Sequence, residues 1–246
     1  MVIVLAPLLG VLGLVAASVS PLPAQTPGNA ATAPVTVRGE ASAVEVALGD
    51  LRRLAACEGV VPSPELELQR LRSLYVLALA DGDRIEPARG QAAALIGRTG
   101  ASGDADVLAL SRAYDGALTV LRAKHGFWPL GRVNHLRSGL HVLDREVEAR
   151  PDHLEIRYLR LVSTAFLPGI FGRGDSARRD LEVVATLLAE TPQRLPSRTL
   201  PSRTMQAMGD TVLDLLDADH PARASVAAAL EHDLHAPKPL APGCPG

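Results

Sequence analysis

Along most of this chain the apolar residues recur every three or four positions, the spacing that gathers side chains on one face of a helix. Val44, Leu48, Leu51 and Ala55 make the first such stripe, ended by Gly59. Ser63 is placed to cap, and Pro64 to start, a second helix carrying Leu68, Leu71, Tyr75 and Ala78, which Gly82 ends. A shorter helix is expected over 87–97, with Gly100, Ser102 and Gly103 breaking the chain before Asp104. Val107, Leu110, Tyr114, Leu118 and Leu121 then step along a helix from about 104 to 125, stopped by Gly126 and Pro129. Val133, Leu136, Leu140, Leu143 and Val147 do the same over 132–149, ahead of Pro151. The segment 153–167 is apolar on most faces (Leu154, Ile156, Tyr158, Leu159, Leu161, Val162, Phe166) and should be the most buried helix. Pro168 and Gly169 end it. Asp175 or Ser176 then caps a helix with Leu181, Val184 and Leu188, and two more follow at about 202–217 and 221–234. No stretch alternates convincingly with the period of a strand. The fold class is all-α, with about eight or nine helices.

The two ends read differently. Residues 2–19 carry no charge, and Leu22-Pro23-Ala24 precedes Gln25, the pattern of a secretory signal cleaved after Ala24. The run is also nearly long enough for an uncleaved membrane anchor. Residues 25–40 are expected to be a flexible leader, 41–235 a single α-helical domain, and 236–246 a Pro-rich disordered tail. Export places the protein in the periplasm or outside the cell. There Cys57 and Cys244 could form a disulfide or remain two unpaired thiols, since sequence separation does not decide geometry. The pentapeptide LPSRT occurs twice in tandem, at 195–199 and 200–204, as a duplication in an exposed connection would.

Charge excludes more than it suggests. A net −2 gives no overall field to draw in nucleic acid or an anionic membrane. Membrane contact is therefore expected only if the N-terminal run stays attached. Lys124 and Lys238 are the only lysines among 25 basic residues, an arginine bias typical of GC-rich coding.

Six of the seven aromatic residues lie between Tyr114 and Phe171, and aromatics bury the most area per residue, so this run is expected to be a packing centre. Within it, Gly139, Leu143, Glu146 and Pro151 fall at the offsets of the second helix of a tetratricopeptide repeat, with Glu146 the poor match. The small residue in that motif lets the neighbouring helix approach closely. Val184, Leu187 and Pro192 repeat the pattern 41 residues on, with Asp180 in place of the small residue and Pro192 ending the helix. The run also resembles uncharacterised exported bacterial proteins with tetratricopeptide-like helices. That likeness rests on Tyr114, Ala117, Gly139, Leu143-Asp144, Pro151, the string Glu155-Ile-Arg157-Tyr-Leu-Arg160, Leu167-Pro168 and Phe171-Gly172. The resemblance implies antiparallel helix pairs stacked as a short α-solenoid or irregular bundle, with a core over 104–192, and it implies no activity.

Candidate chemistry is sparse. Glu155, Arg157 and Arg160 interrupt an apolar helix. Arginines so placed mostly hold a fold through carboxylates, here Asp144 or Glu146; the alternative is an anion or peptide-carboxylate site that Tyr114 could join. Phe127-Trp128-Pro129-Leu130 is expected to plug the end of a helix pair, the alternative being that Trp128 is an exposed anchor for a partner. Glu231 and His235 share a helix face but lack a third ligand, and His135 and His141 lie on different faces. There is no CxxC, P-loop, GxGxxG or GxSxG, and no cofactor is implied. The expectation is a monomeric, non-catalytic protein- or peptide-interaction module of the cell envelope, with no nucleic-acid partner. The alternative is an enzyme or metal-binding protein whose site is assembled from distant helices.

Overall fold

The computed structural model describes residues 38–56, 63–126, 128–194 and 202–233. These form α1 (Arg38–Ala56), α2 (Pro64–Ala80), α3 (Ile85–Ser102), α4 (Ala105–His125), α5 (Pro129–Ala149), α6 (Leu154–Thr164), α7 (Gly174–Arg194), α8 (Ser202–Leu215) and α9 (Ala222–Asp233). Short 3-10 turns precede α3 and follow α6, and no strand is present among the described residues. The signal, Cys57, Cys244, Phe127, His235, the first LPSRT copy and the Pro-rich tail lie outside them.

Local signals set most of the helix starts. Ser63 Oγ accepts from the Leu66 N–H at 3.3 Å ahead of Pro64, and Asp104 Oδ1 accepts from the Val107 N–H at 3.1 Å. Several boundaries differ from the sequence expectation. The third helix is longer than 87–97 because Gly100 and Ser102 remain helical, and the chain turns only at Gly103, in the left-handed conformation at φ 78°. Pro129 opens α5 rather than separating it from α4, since a first-turn residue needs no N–H. Neither Asp175 nor Ser176 caps α7, which starts at Gly174; the buried Ser176 Oγ has no hydrogen-bond partner. Pro192 does not end that helix, which runs on to Arg194. The second LPSRT copy is not wholly a connection either, because Ser202, Arg203 and Thr204 open α8. In α1 the buried positions are Ala47, Asp50 and Leu54, one residue ahead of the expected stripe, and Leu48 is exposed.

Consecutive helices pack against each other, and α2, α4 and α6 also pack in succession, so the chain advances by helix pairs α2/α3, α4/α5 and α6/α7. One apolar core gathers α2 to α6, around Leu71, Leu95, Leu110, Leu118, Leu143 and Ile156. A second gathers α6 to α9, around Leu161, Val184, Leu188, Val212 and Val226. Helix α6 serves both, sending Ile156 and Leu159 one way and Leu154 and Leu161 the other. Its expected burial holds over Leu154–Thr164, but Phe166 falls beyond the helix end and stands in solvent.

The α4/α5 pair is the most extensively packed. An ideal Cβ on Gly139 would sit 2.5 Å from the Gly116 carbonyl oxygen and 2.8 Å from the Val120 nitrogen. Only glycine fits there, which is the close approach implied by the repeat-like offsets. The position 42 residues earlier is Gly97, whose Cβ would meet nothing within 4 Å. Gly139→Ala must therefore push two backbones apart and should cost about 1–3 kcal/mol. Gly97→Ala should raise stability by about 0.5–1 kcal/mol through helix propensity. Urea unfolding of both variants checks the contrast. Equal effects would mean that the α4/α5 backbone contact is not tight.

Candidate functional site

The charged residues of α6 are turned inward, to two separate networks. Glu155 is only 1% exposed. Its carboxylate accepts from Arg72 Nε at 2.7 Å and Arg72 Nη2 at 2.6 Å, and from the Tyr114 hydroxyl at 2.6 Å. The ring of Tyr75 meets that of Tyr114 edge to face at 5.3 Å. Arg72, Tyr114 and Glu155 belong to α2, α4 and α6 and lie 42 and 41 residues apart, so equivalent positions of three successive helix pairs converge on one carboxylate.

Burial disfavours the charge of Glu155, but the Arg72 guanidinium and the hydrogen bonds from Arg72 and Tyr114 outweigh it and hold the carboxyl below its ordinary value. Arg72 likewise stays charged, burial opposing and Glu155 prevailing. Burial, then the neighbouring carboxylate, pushes the Tyr114 hydroxyl well up, so it remains a donor. Burial lowers the nearby His153, against the pull of Glu155 and Asp106.

The second network centres on Asp180 of α7, which is fully buried. Arg157 Nη1 donates to it at 2.7 Å, and Arg160 donates through Nε at 2.7 Å and Nη2 at 2.8 Å. Arg157 Nε also donates to the Pro151 carbonyl at 2.6 Å. Arg160 Nη1 reaches Asp144 of α5 at 3.1 Å, and Arg173 meets the other oxygen of Asp144 at 2.8 Å. Of the two partners expected on α5, Asp144 takes part. Glu146 does not; it faces Arg150 at 3.9 Å, one turn along its own helix. Burial works against the charge of Arg160, and Asp180 with Asp144 raises its pKa regardless.

The five candidate residues therefore fall in three places. Glu155 and Tyr114 share one buried cluster, Arg157 and Arg160 share another, and Trp128 stands apart at the α4–α5 turn. The direct Arg72–Glu155 bond joins α2 to α6 across α4, whose Tyr114 shares the same carboxylate. All four buried candidates spend their polar atoms on the fold. Among the described residues, no group of three His, Cys, Asp or Glu side chains is placed to hold a metal ion.

The turns present the opposite picture. Trp128 at 75%, Leu130 at 83%, Phe166 at 77% and Ile170 at 90% are the most exposed large apolar side chains among the described residues. The expected plug is thus corrected at Trp128 and Leu130. Trp128 occupies the N-cap of α5, and its side chain is largely exposed instead of packed in the α4/α5 core. The aromatic run divides accordingly. Tyr114 packs in the first core and Tyr158 lies against the second, its hydroxyl 3.1 Å from Thr211 Oγ1, whereas Trp128 and Phe166 remain outside.

No family model matches the chain, and no curated protein matches it. Among solved structures, a thermophilic TPR protein of Thermus thermophilus matches at 15% sequence identity and a TM-score of 0.42, over 78% of this chain and 99% of that one. The all-α architecture of stacked helix pairs rests on the helices described above.

Glu155→Gln leaves the Arg72 charge buried without its counter-ion and should cost about 3–5 kcal/mol, read by urea unfolding at neutral pH. The double variant Arg72→Met/Glu155→Met buries no charge and should regain most of that loss. Because the folded-state pKa of Glu155 lies below its ordinary 4.5, its contribution is complete above that pH. It is lost as pH falls through the folded value. The acid-side decline in wild-type stability should therefore flatten in Glu155→Gln. An unchanged pH profile would show that Glu155 is not ionised in the folded protein.

Proposed function

We propose that this is an exported, non-catalytic interaction protein of the bacterial envelope that binds a protein or peptide partner at the turn end of its helix pairs. The observation that carries this reading is the division of labour between inside and edge. The buried titratable groups of α6 are consumed by one another, while Phe166 and Ile170 of the α6–α7 turn stand in solvent. Two of the cations beside that turn are paired, Arg173 with Asp144 and Arg178 with Asp175. Exposed apolar side chains rimmed by paired charges suit a protein surface, whose core excludes lone charges. Export rests on the uncharged run at 2–19 and the Ala24 cleavage pattern.

Replacing Phe166 and Ile170 together by Ser should leave stability within about 0.5 kcal/mol per site, because neither is packed. Affinity capture from the envelope extract of the source bacterium, with wild type and the double variant side by side, tests the reading. A partner retained by the wild type and lost by an equally stable variant supports it. A large drop in melting temperature would instead place these side chains in the fold.

A further inference from the structure

We infer that the α4–α5 hairpin tip is a docking site for an anionic lipid bilayer, with Trp128 and Leu130 entering the interface and Lys124 and Arg132 contacting headgroup phosphates. The net −2 of the chain conceals how its charge is distributed. From Gly116 to Leu143 there is no Asp or Glu, while Arg122, Lys124, Arg132 and Arg137 and three histidines fall within that span. The most exposed part of it is the tip, where α4 ends at His125 and α5 begins at Pro129.

The charges around the tip are only partly neutralised. The adjoining α2–α3 turn lies against the end of α4, with Gly82 beside His125, and brings Asp81, Asp83 and Glu86. Arg84 meets Asp81 and Arg122 meets Glu86. Lys124 and Arg132 instead donate to the carbonyls of Leu79 and Ala123, at 3.1 and 2.7 Å. Those bonds fix the two side chains beside the turn without cancelling their charge. The first turn of α5, like those of α8 and α9, holds no acidic residue, so no carboxylate there offsets its positive end.

Shape then favours a bilayer over a folded partner. A tryptophan and a leucine at a projecting turn need a matching pocket on a protein, but none on a lipid surface, where an indole settles at headgroup level and cations behind it meet phosphates. Because α4 and α6 both run antiparallel to α5, the α4–α5 and α6–α7 turns lie at the same end. Among the described residues no helix is long and apolar enough to cross a membrane, so this contact is peripheral.

Trp128 is the only tryptophan in the chain and reports on its own surroundings. In the full-length protein its emission should shift to the blue on adding phosphatidylcholine vesicles with about one third phosphatidylglycerol, and brominated lipid should quench it. Phosphatidylcholine alone should give little shift. Each cation removed should weaken the response about fivefold, and added salt should weaken it further. Lys124→Glu/Arg132→Glu, confirmed folded by its melting curve, should abolish it. This variant keeps the N-terminal apolar run, so attachment through that run cannot imitate the signal at Trp128. An emission unmoved by anionic vesicles overturns the inference, as does an equal shift on neutral vesicles or in the charge-reversed variant. An envelope protein that crosslinks to position 128 while vesicles have no effect would place a protein there instead. The partner proposed for Phe166 and Ile170 would stand or fall separately, on its own variant.

Discussion

The carboxylate of Glu155 is the point on which three helix pairs agree. Removing it from water costs several kcal/mol unless every lone pair finds a donor, and here Arg72 and Tyr114 supply three short bonds. The donors come from 83 and 41 residues away, so this one group fixes α2, α4 and α6 in register with each other. Any slip of one helix against the next leaves a buried charge without its partner. Apolar contacts around Leu71, Leu118 and Ile156 supply bulk stability but tolerate rearrangement, because one methyl packs much like another. The ionic cluster is intolerant, and that intolerance selects one arrangement.

The two later pairs are joined by opposite physics at equivalent positions. In α4/α5, Gly139 brings two backbones together against Gly116. Forty-one residues on, Asp180 and Arg157 take the places of Gly139 and Gly116, at the same separation of 23 residues. There a fully buried carboxylate grips Arg157 and Arg160. The position of Gly139 here carries a side chain, and guanidinium groups meet it where α4/α5 has backbone contact. The departure from the repeat pattern at Asp180 is thus a second solution to the same packing problem.

Much of this was legible in the sequence. The stripes of α2 and α4 are buried as their spacing requires, as is that of α5 except at half-buried Val133; Ser63 and Pro64 start α2, and Gly139 is the close-contact residue. Arg157 and Arg160 hold the fold through Asp144 and Asp180, as expected of arginines in an apolar helix. What failed did so for physical reasons. In α1 hydrophobicity alone selects Leu48, yet Ala47 is the buried residue and Leu48 is exposed. Arg72 had no local signal, since its partner lies two helix pairs away. The 41-residue separation of Pro151 and Pro192, extended backward, aligns Glu155 with Tyr114 and comes within one residue of Arg72. A tryptophan near a turn usually packs, yet Trp128 at the start of α5 is largely exposed, which its apolarity alone does not signal.

Charge ties the interior to the edge. Net charge averages over groups with entirely different surroundings, and at −2 it suggests a protein with no electrostatic preference. Yet the buried charges neutralise each other in the interior, Glu155 with Arg72 and Asp180 with Arg157 and Arg160, where the low dielectric makes pairing obligatory. What the surroundings feel is the exposed remainder, and that remainder is uneven. Beside the α6–α7 turn, with Phe166 and Ile170, Arg173 and Arg178 are paired with acids, while the α4–α5 turn carries Lys124 and Arg132 bonded only to carbonyls, around Trp128 and Leu130. Two apolar tips at the same end of the helix pairs therefore differ in the one property that discriminates a neutral partner from an anionic one. The buried charge is spent on architecture, and the uneven remainder of charge and exposed apolar surface lies at the turns.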